Sequence, residues 1–307
     1  MIRGMRSSLA LLALSITVLA AAGCGGGGDG GAGEAALTAV ATTTQLGDFT
    51  REVGGRRIAV EQLLPPNADP HDYEPRPSDV LRIGEAAVVF KSGGDLDQWV
   101  GDLVESADGD PEVVEVLGSV EPVAKDPHWW HDPRNAIRAV ETIRDRLGEA
   151  DPDGRGAYTD NAAAYIGQLE RLDRSVARCI GRIPADQRKL VTTHDALGYY
   201  ANRYGLDVVG ALIPSLSSQA QPSVKDTNEL LEQIEELDVK AIFPESSLNP
   251  KLEEAVARET GAEVGDALYA DTLGPEDSPG GTYAGSIEAN TKSIAAGLSG
   301  GGVSCGF

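Results

Sequence analysis

Four histidines in a chain of 307 residues are few enough to consider one at a time. His71 sits in Asp69-Pro70-His71-Asp72-Tyr73-Glu74-Pro75, and His194 in Thr193-His194-Asp195. His128 and His131 flank two tryptophans in Asp126-Pro127-His128-Trp129-Trp130-His131-Asp132-Pro133. Each falls in a turn between a strand pattern and a helix pattern. In an open parallel sheet such turns gather at the carboxyl ends of the strands, where ligands bind. Neutral imidazole is a common metal ligand, and a helix N-terminus disfavours the imidazolium form. The placement therefore suits a divalent cation, although any one of these histidines taken singly could make an ordinary hydrogen bond. Three imidazoles leave a fourth position for a carboxylate. Asp266, Asp271 and Glu245 are candidates; Asp271 and Glu245 each follow a strand pattern, as the histidines do, and residue type does not choose between them.

The elements that would hold these turns follow from hydrophobic spacing. Strands are expected at Leu37–Thr42, Arg57–Gln62, Ala86–Lys91, Glu112–Val116, Lys189–Thr193, Asp207–Leu212, Val239–Pro244 and Glu263–Gly265. Helices are expected at Pro133 to about Leu147, with Asp132 as N-cap, and at Val224–Leu237 and Pro250–Thr260, the last stopped by Gly261. Another is expected to be capped near Ser78 or Asp79, and another to open at Asp195. Strands alternating with helices predict an α/β fold with mainly parallel sheets. From Tyr158 to Ile183 apolar residues recur at steps of three and four, predicting a helix of ~26 residues and ~39 Å. With βα units on both flanks, it reads as a rigid rod between two lobes; a long surface helix inside one domain is the alternative. The expected division is 1–23 export signal, 24–35 tether, 36–155 first lobe, 156–184 connecting helix and 185–307 second lobe.

Acidic residues outnumber basic ones 48 to 26, giving a net charge of -22. A nucleic-acid partner is excluded on that ground, because phosphate binding needs a positive face. Arg3 and Arg6 precede the short apolar run Leu9 to Ala22, as in a secretory signal. The run ends Ala21-Ala22-Gly23-Cys24, which resembles the lipobox of bacterial lipoproteins, so Cys24 is the expected lipid attachment point. The glycine-rich stretch Gly25–Gly33 is the expected flexible tether to the membrane. An oxidising compartment would permit Cys179 and Cys305 to form a disulfide; two free thiols are the alternative.

At the histidine turns the sequence resembles the solute-binding proteins of ABC importers for zinc and manganese. The resemblance rests on Asp69-Pro70-His71-Asp72-Tyr73-Glu74-Pro75 with Pro77-Ser78-Asp79, on Asp126-Pro127-His128-Trp129-Trp130, on Thr193-His194-Asp195-Ala196-Leu197-Gly198-Tyr199-Tyr200, and on Tyr269-Ala270-Asp271-Thr272-Leu273-Gly274. It implies two α/β lobes joined by one long helix, with the metal site between the lobes. The implied ligands are His71, His128, His194 and Asp271, two from each lobe, with Glu245 supporting from behind. His131 departs from the family, which usually has an apolar residue there; it could be an auxiliary ligand, replace His128, or cap the following helix. Residues 72 to 127 hold no histidine, so the histidine-rich loop of many zinc members is absent.

The resemblance implies capture of Zn2+, with Mn2+ as the alternative, and delivery to an ABC importer permease without catalysis. The expected protein is a monomer, anchored outside the cell membrane, whose lobes move little. Two other classes compete: a secreted zinc hydrolase with Glu245 as general base, for which no His-Glu-x-x-His element is present, and a surface adhesin.

Overall fold

A computed structural model describes residues 35–121 and 123–307; the expected export signal, Cys24 and most of the expected glycine-rich tether lie outside them. Eight strands fall close to their expected places. β1 (Leu37–Ala41), β2 (Ile58–Gln62), β3 (Val88–Lys91) and β4 (Glu112–Glu115) form a parallel sheet in the order β2-β1-β3-β4. β5 (Lys189–His194) pairs in parallel with β6 (Asp207–Ile213), and β7 (Ala241–Ile242) with β8 (Glu263–Val264). A parallel bridge from Thr192 to Phe243 fastens β7 to β5, so the second half runs β6-β5-β7-β8. The two halves thus share one strand order, a repeat that the sequence does not display.

The helices are α1 (Thr44–Gly54), α2 (Pro77–Glu85), α3 (Val100–Ser106), α4 (Pro133–Ala150), α5 (Arg155–Ile180), α6 (Gly198–Tyr204), α7 (Val224–Glu236), α8 (Lys251–Thr260) and α9 (Tyr283–Leu298). Among the described residues none is long and apolar enough to cross a membrane. Two starts differ from expectation. Helix α2 begins at Pro77, and Asp79 reaches back as an acceptor for the Arg76 N–H, so the acidic residue closes the first turn from inside. After His194 a tight turn, with the Ala196 N–H donating to His194 O, delays α6 to Gly198.

The 26-residue rod α5 buries Tyr158, Ala162, Tyr165, Leu169, Leu172, Val176, Cys179 and Ile180 on one face. That face belongs to a continuous apolar core that includes Phe49 and Phe90 of the first half and Tyr200, Phe243 and Ile294 of the second. Truncating a fully buried member such as Leu169 to alanine would cost about 2–5 kcal/mol. The lobes are therefore packed on a shared rod. Cys179, near the end of α5, is joined to Cys305 in a disulfide, Cα to Cα 5.7 Å, which pins the C-terminal tail to the rod.

Candidate metal centre

The Asp-Pro-His sequence occurs twice and makes the same side-chain-to-backbone hydrogen bond twice. After β2, Asp69 Oδ1 accepts from the His71 N–H at 2.9 Å; after β4, Asp126 Oδ1 accepts from the His128 N–H at 2.9 Å. Asp126 Oδ1 also lies 2.7 Å from His128 Nδ1, fixing the ring so that Nε2 faces inward. His194 ends β5, and Glu245, just beyond β7, treats it in the same way: its Oε1 stands 3.1 Å from the backbone N and 2.5 Å from Nδ1. Asp271 follows β8, past a bridge from Glu245 to Leu268.

These turns bring His71, His128, His194 and Asp271 together, with one donor atom of each within 4.8 Å of all the others. The Nε2 atoms of His71 and His128 are 3.4 Å apart, as are those of His128 and His194. Asp271 Oδ2 lies 3.5 Å from His71 Nε2 and 3.3 Å from His194 Nε2, while Oδ1 lies 3.3 Å from His128 Nε2. A regular tetrahedron with 3.4 Å edges has its centre ~2.1 Å from each corner, the length of a zinc–imidazole bond, so these five separations are near the size a bound cation needs, although they draw on both Asp271 oxygens and one donor atom per residue gives separations of up to 4.8 Å. Both Asp271 oxygens are buried and receive no hydrogen bond from the described residues. Buried carboxylate oxygens without donors are costly unless a cation takes the place of the donors.

Burial, reinforced by the neighbouring imidazoles, keeps His128 well below its ordinary value and lowers His71 to about 4. These rings are neutral at pH 7, with desolvation the largest cause. His194 goes the other way. Burial opposes its protonation, but the Asp271 and Glu245 carboxylates outweigh it and raise the ring to about 9. Burial raises Asp271 well above the carboxylate range, partly offset by His194. A proton thus balances the buried acids when no metal does, and a dication would displace it.

The Asp271 segment is fastened to the first half of the chain. Gln45 Nε2 donates to Asp271 O at 3.0 Å, the Leu273 N–H donates to Thr44 Oγ1 at 2.8 Å, the Asn67 N–H to Leu273 O at 3.1 Å, and Trp130 Nε1 to Ala270 O at 2.9 Å. Although it comes from the second half of the sequence, Asp271 is held by α1 and by the turns after β2 and β4.

His131 lies outside the cluster of four. It is fully buried, no hydrogen bond of good geometry reaches either ring nitrogen among the described residues, and burial lowers it to about 3 against a weaker contact with the Ala270 carbonyl. Helix α4 is capped by Asp132, whose side chain accepts from the Arg134 N–H. Asp266 is also outside, its carbonyl accepting from Ser293 Oγ. Sequence reasoning missed the role of Asp126 behind His128; the available signal was the repeated Asp-Pro-His itself.

Comparison with known proteins agrees with this architecture. The ZnuA family (zinc-uptake complex component A, periplasmic) matches residues 39–297. The manganese-binding lipoprotein MntA of Halalkalibacterium halodurans is 33% identical over 269 residues, covering 86% of this chain and 89% of that protein. The iron-binding protein YfeA of Yersinia pestis is 32% identical over 267 residues, 84% of this chain and 85% of that protein. Among solved structures, the periplasmic zinc-binding protein TroA of Treponema pallidum superposes with a TM-score of 0.81 at 29% identity, covering 86% of this chain and 99% of that one. On the family match and these likenesses, the chain belongs to the ZnuA family, the metal-binding solute-binding proteins of ABC importers.

Proposed function

We propose that the protein captures Zn2+ through His71, His128, His194 and Asp271 and hands it to the permease of an ABC importer. The carrying observation is the cage: three imidazole nitrogens and a carboxylate, with neighbouring donors 3.3–3.5 Å apart and one donor atom of each residue within 4.8 Å of all the others, close to the size of tetrahedral coordination. An imidazole-rich set favours zinc over manganese in the usual stability order. Asp126 and Glu245 orient the rings from behind, and His131 stands by without ligating. A cage closed by four protein donors offers no open coordination position for activating water, which supports transport over hydrolysis. We further assign residues 36–155 and 185–307 to two lobes on a connecting helix at 156–184. On this reading the protein acts as a monomer, and lipid on Cys24 holds it outside the cell membrane, an anchoring that the lipoprotein names of its relatives support.

Mn2+ is the second reading. Both Asp271 oxygens face imidazole nitrogens, so the carboxylate can bind through two oxygens and expand the site for a harder cation, and MntA is named for manganese. The test is a competition titration of the purified protein with Zn2+ and Mn2+, followed by fluorescence of Trp130, whose ring lies 5.4 Å from His128. Tighter binding of Zn2+ is expected; tighter Mn2+ overturns the choice of metal, and binding of neither overturns capture.

A further inference from the structure

The four candidate ligands are not equally secured. The side chains of His128, His194 and Asp271 expose 0–1% of their surface, whereas His71 exposes 7%, so the cage meets solvent on the His71 side. His128 and His194 are each anchored at Nδ1 by a buried carboxylate. Among the described residues the His71 ring has no such anchor, and its position depends on the turn that carries it. That turn is tied across the mouth. Asp69 spends Oδ1 on the His71 N–H and turns Oδ2 to Ser218 Oγ at 2.6 Å and Gln219 Nε2 at 3.2 Å. Ser218 and Gln219 lie between β6 and α7, in the second half of the chain. One carboxylate therefore links the backbone of a candidate ligand to a loop of the opposite lobe.

Resting on the metal-capture reading, we propose that Ser218 and Gln219 are positioning residues whose clasp on Asp69 holds the His71 turn over the metal and sets how long the metal stays. With the clasp made, the turn cannot swing without breaking two hydrogen bonds to a carboxylate. With it open, His71 is the ligand free to leave, and the others keep their geometry. The clasp acts after capture, so it governs release and leaves the encounter rate alone.

The experiment loads the full protein with Zn2+ alone, and separately with Mn2+ alone, then mixes it with excess chelator in a stopped-flow instrument. Wild type is compared with Ser218→Ala, Gln219→Ala, the double variant, and Ser223→Ala, which removes the N-cap of α7 in the same stretch of chain. Loss of both clasp donors is expected to raise the dissociation rate about tenfold or more, as for hydrogen bonds to a charged acceptor that is part-exposed. The association rate should stay within about twofold of wild type, and the Tm of the metal-free protein should fall by no more than a few degrees. Wild type that holds neither metal overturns the capture reading and the clasp with it. Tight wild-type binding with double-variant release within twofold of wild type overturns the clasp alone, as does an equal acceleration in Ser223→Ala.

Discussion

Replacing Asp271 by asparagine keeps the side chain's shape and removes one negative charge from the middle of the cage. The carboxylate is buried to 1% exposure and its oxygens stand 3.3–3.5 Å from three imidazole nitrogens, so the charge it presents to a cation is barely screened by water. Removing one partner of a buried charge pair weakens the remainder by about 3–5 kcal/mol. At 1.4 kcal/mol per decade, that predicts a loss of Zn2+ affinity between about a hundredfold and a few thousandfold. The loss should be greater for Mn2+, a harder ion that depends more on oxygen donors. Competition against chromophoric chelators of graded affinity at pH 7 reads both numbers, with the Tm of the metal-free variant showing that the fold is kept. Affinity for both metals within about tenfold of wild type would refute the reasoning, because the carboxylate would then not be facing the cation.

Glu245→Gln keeps an acceptor for His194 but removes the charge, and should weaken Zn2+ about 10–100-fold in the same titration. Asp48 gives a dependence on pH away from the cage. Burial raises its carboxyl above the ordinary 3.8 against the hydrogen bonds from the Tyr283 N–H and Tyr165 hydroxyl, so the folded chain binds this proton more tightly than the unfolded one. Its contribution to stability is then lost as pH rises through the window between those two values. Asp48→Asn should raise the Tm of the metal-free protein at pH 7, with the gain vanishing towards pH 3. Cys305→Ser opens a loop of 126 residues; chain entropy predicts a loss of up to about 5 kcal/mol, read as a fall in Tm of up to ~10 °C that reductant reproduces in wild type only.

The strands and the rod were legible because each depends on a local period: β-branched runs bounded by turn residues for the strands, and eight apolar residues on one stripe for α5. The candidate ligands were legible for a different reason, since rare imidazoles in strand-to-helix turns stand out in a chain so rich in carboxylates. Asp271 could be singled out only through family likeness, because composition offers 48 acidic residues and the choice among them is made by tertiary convergence. Helices α1 and α9 were not singled out. In α9 small residues such as Ala284, Gly285 and Ser286 blur the apolar stripe, and packing against the rod does what propensity does not. The link from Asp69 to Ser218 spans 149 residues and leaves no periodic trace.

The bonds that tie residues 270–273 to Thr44, Gln45, Asn67 and Trp130 limit what kind of machine this can be. A flytrap swing would have to tear all four at once, at about 1 kcal/mol each, while prising apart a core continuous through both halves. Empty and metal-loaded molecules are therefore expected to have equal radii of gyration by solution scattering, and a clear contraction on loading would overturn this. On that expectation, whatever distinguishes the two states is confined to the rim of the cage, where His71 is the most exposed of the four candidate ligands.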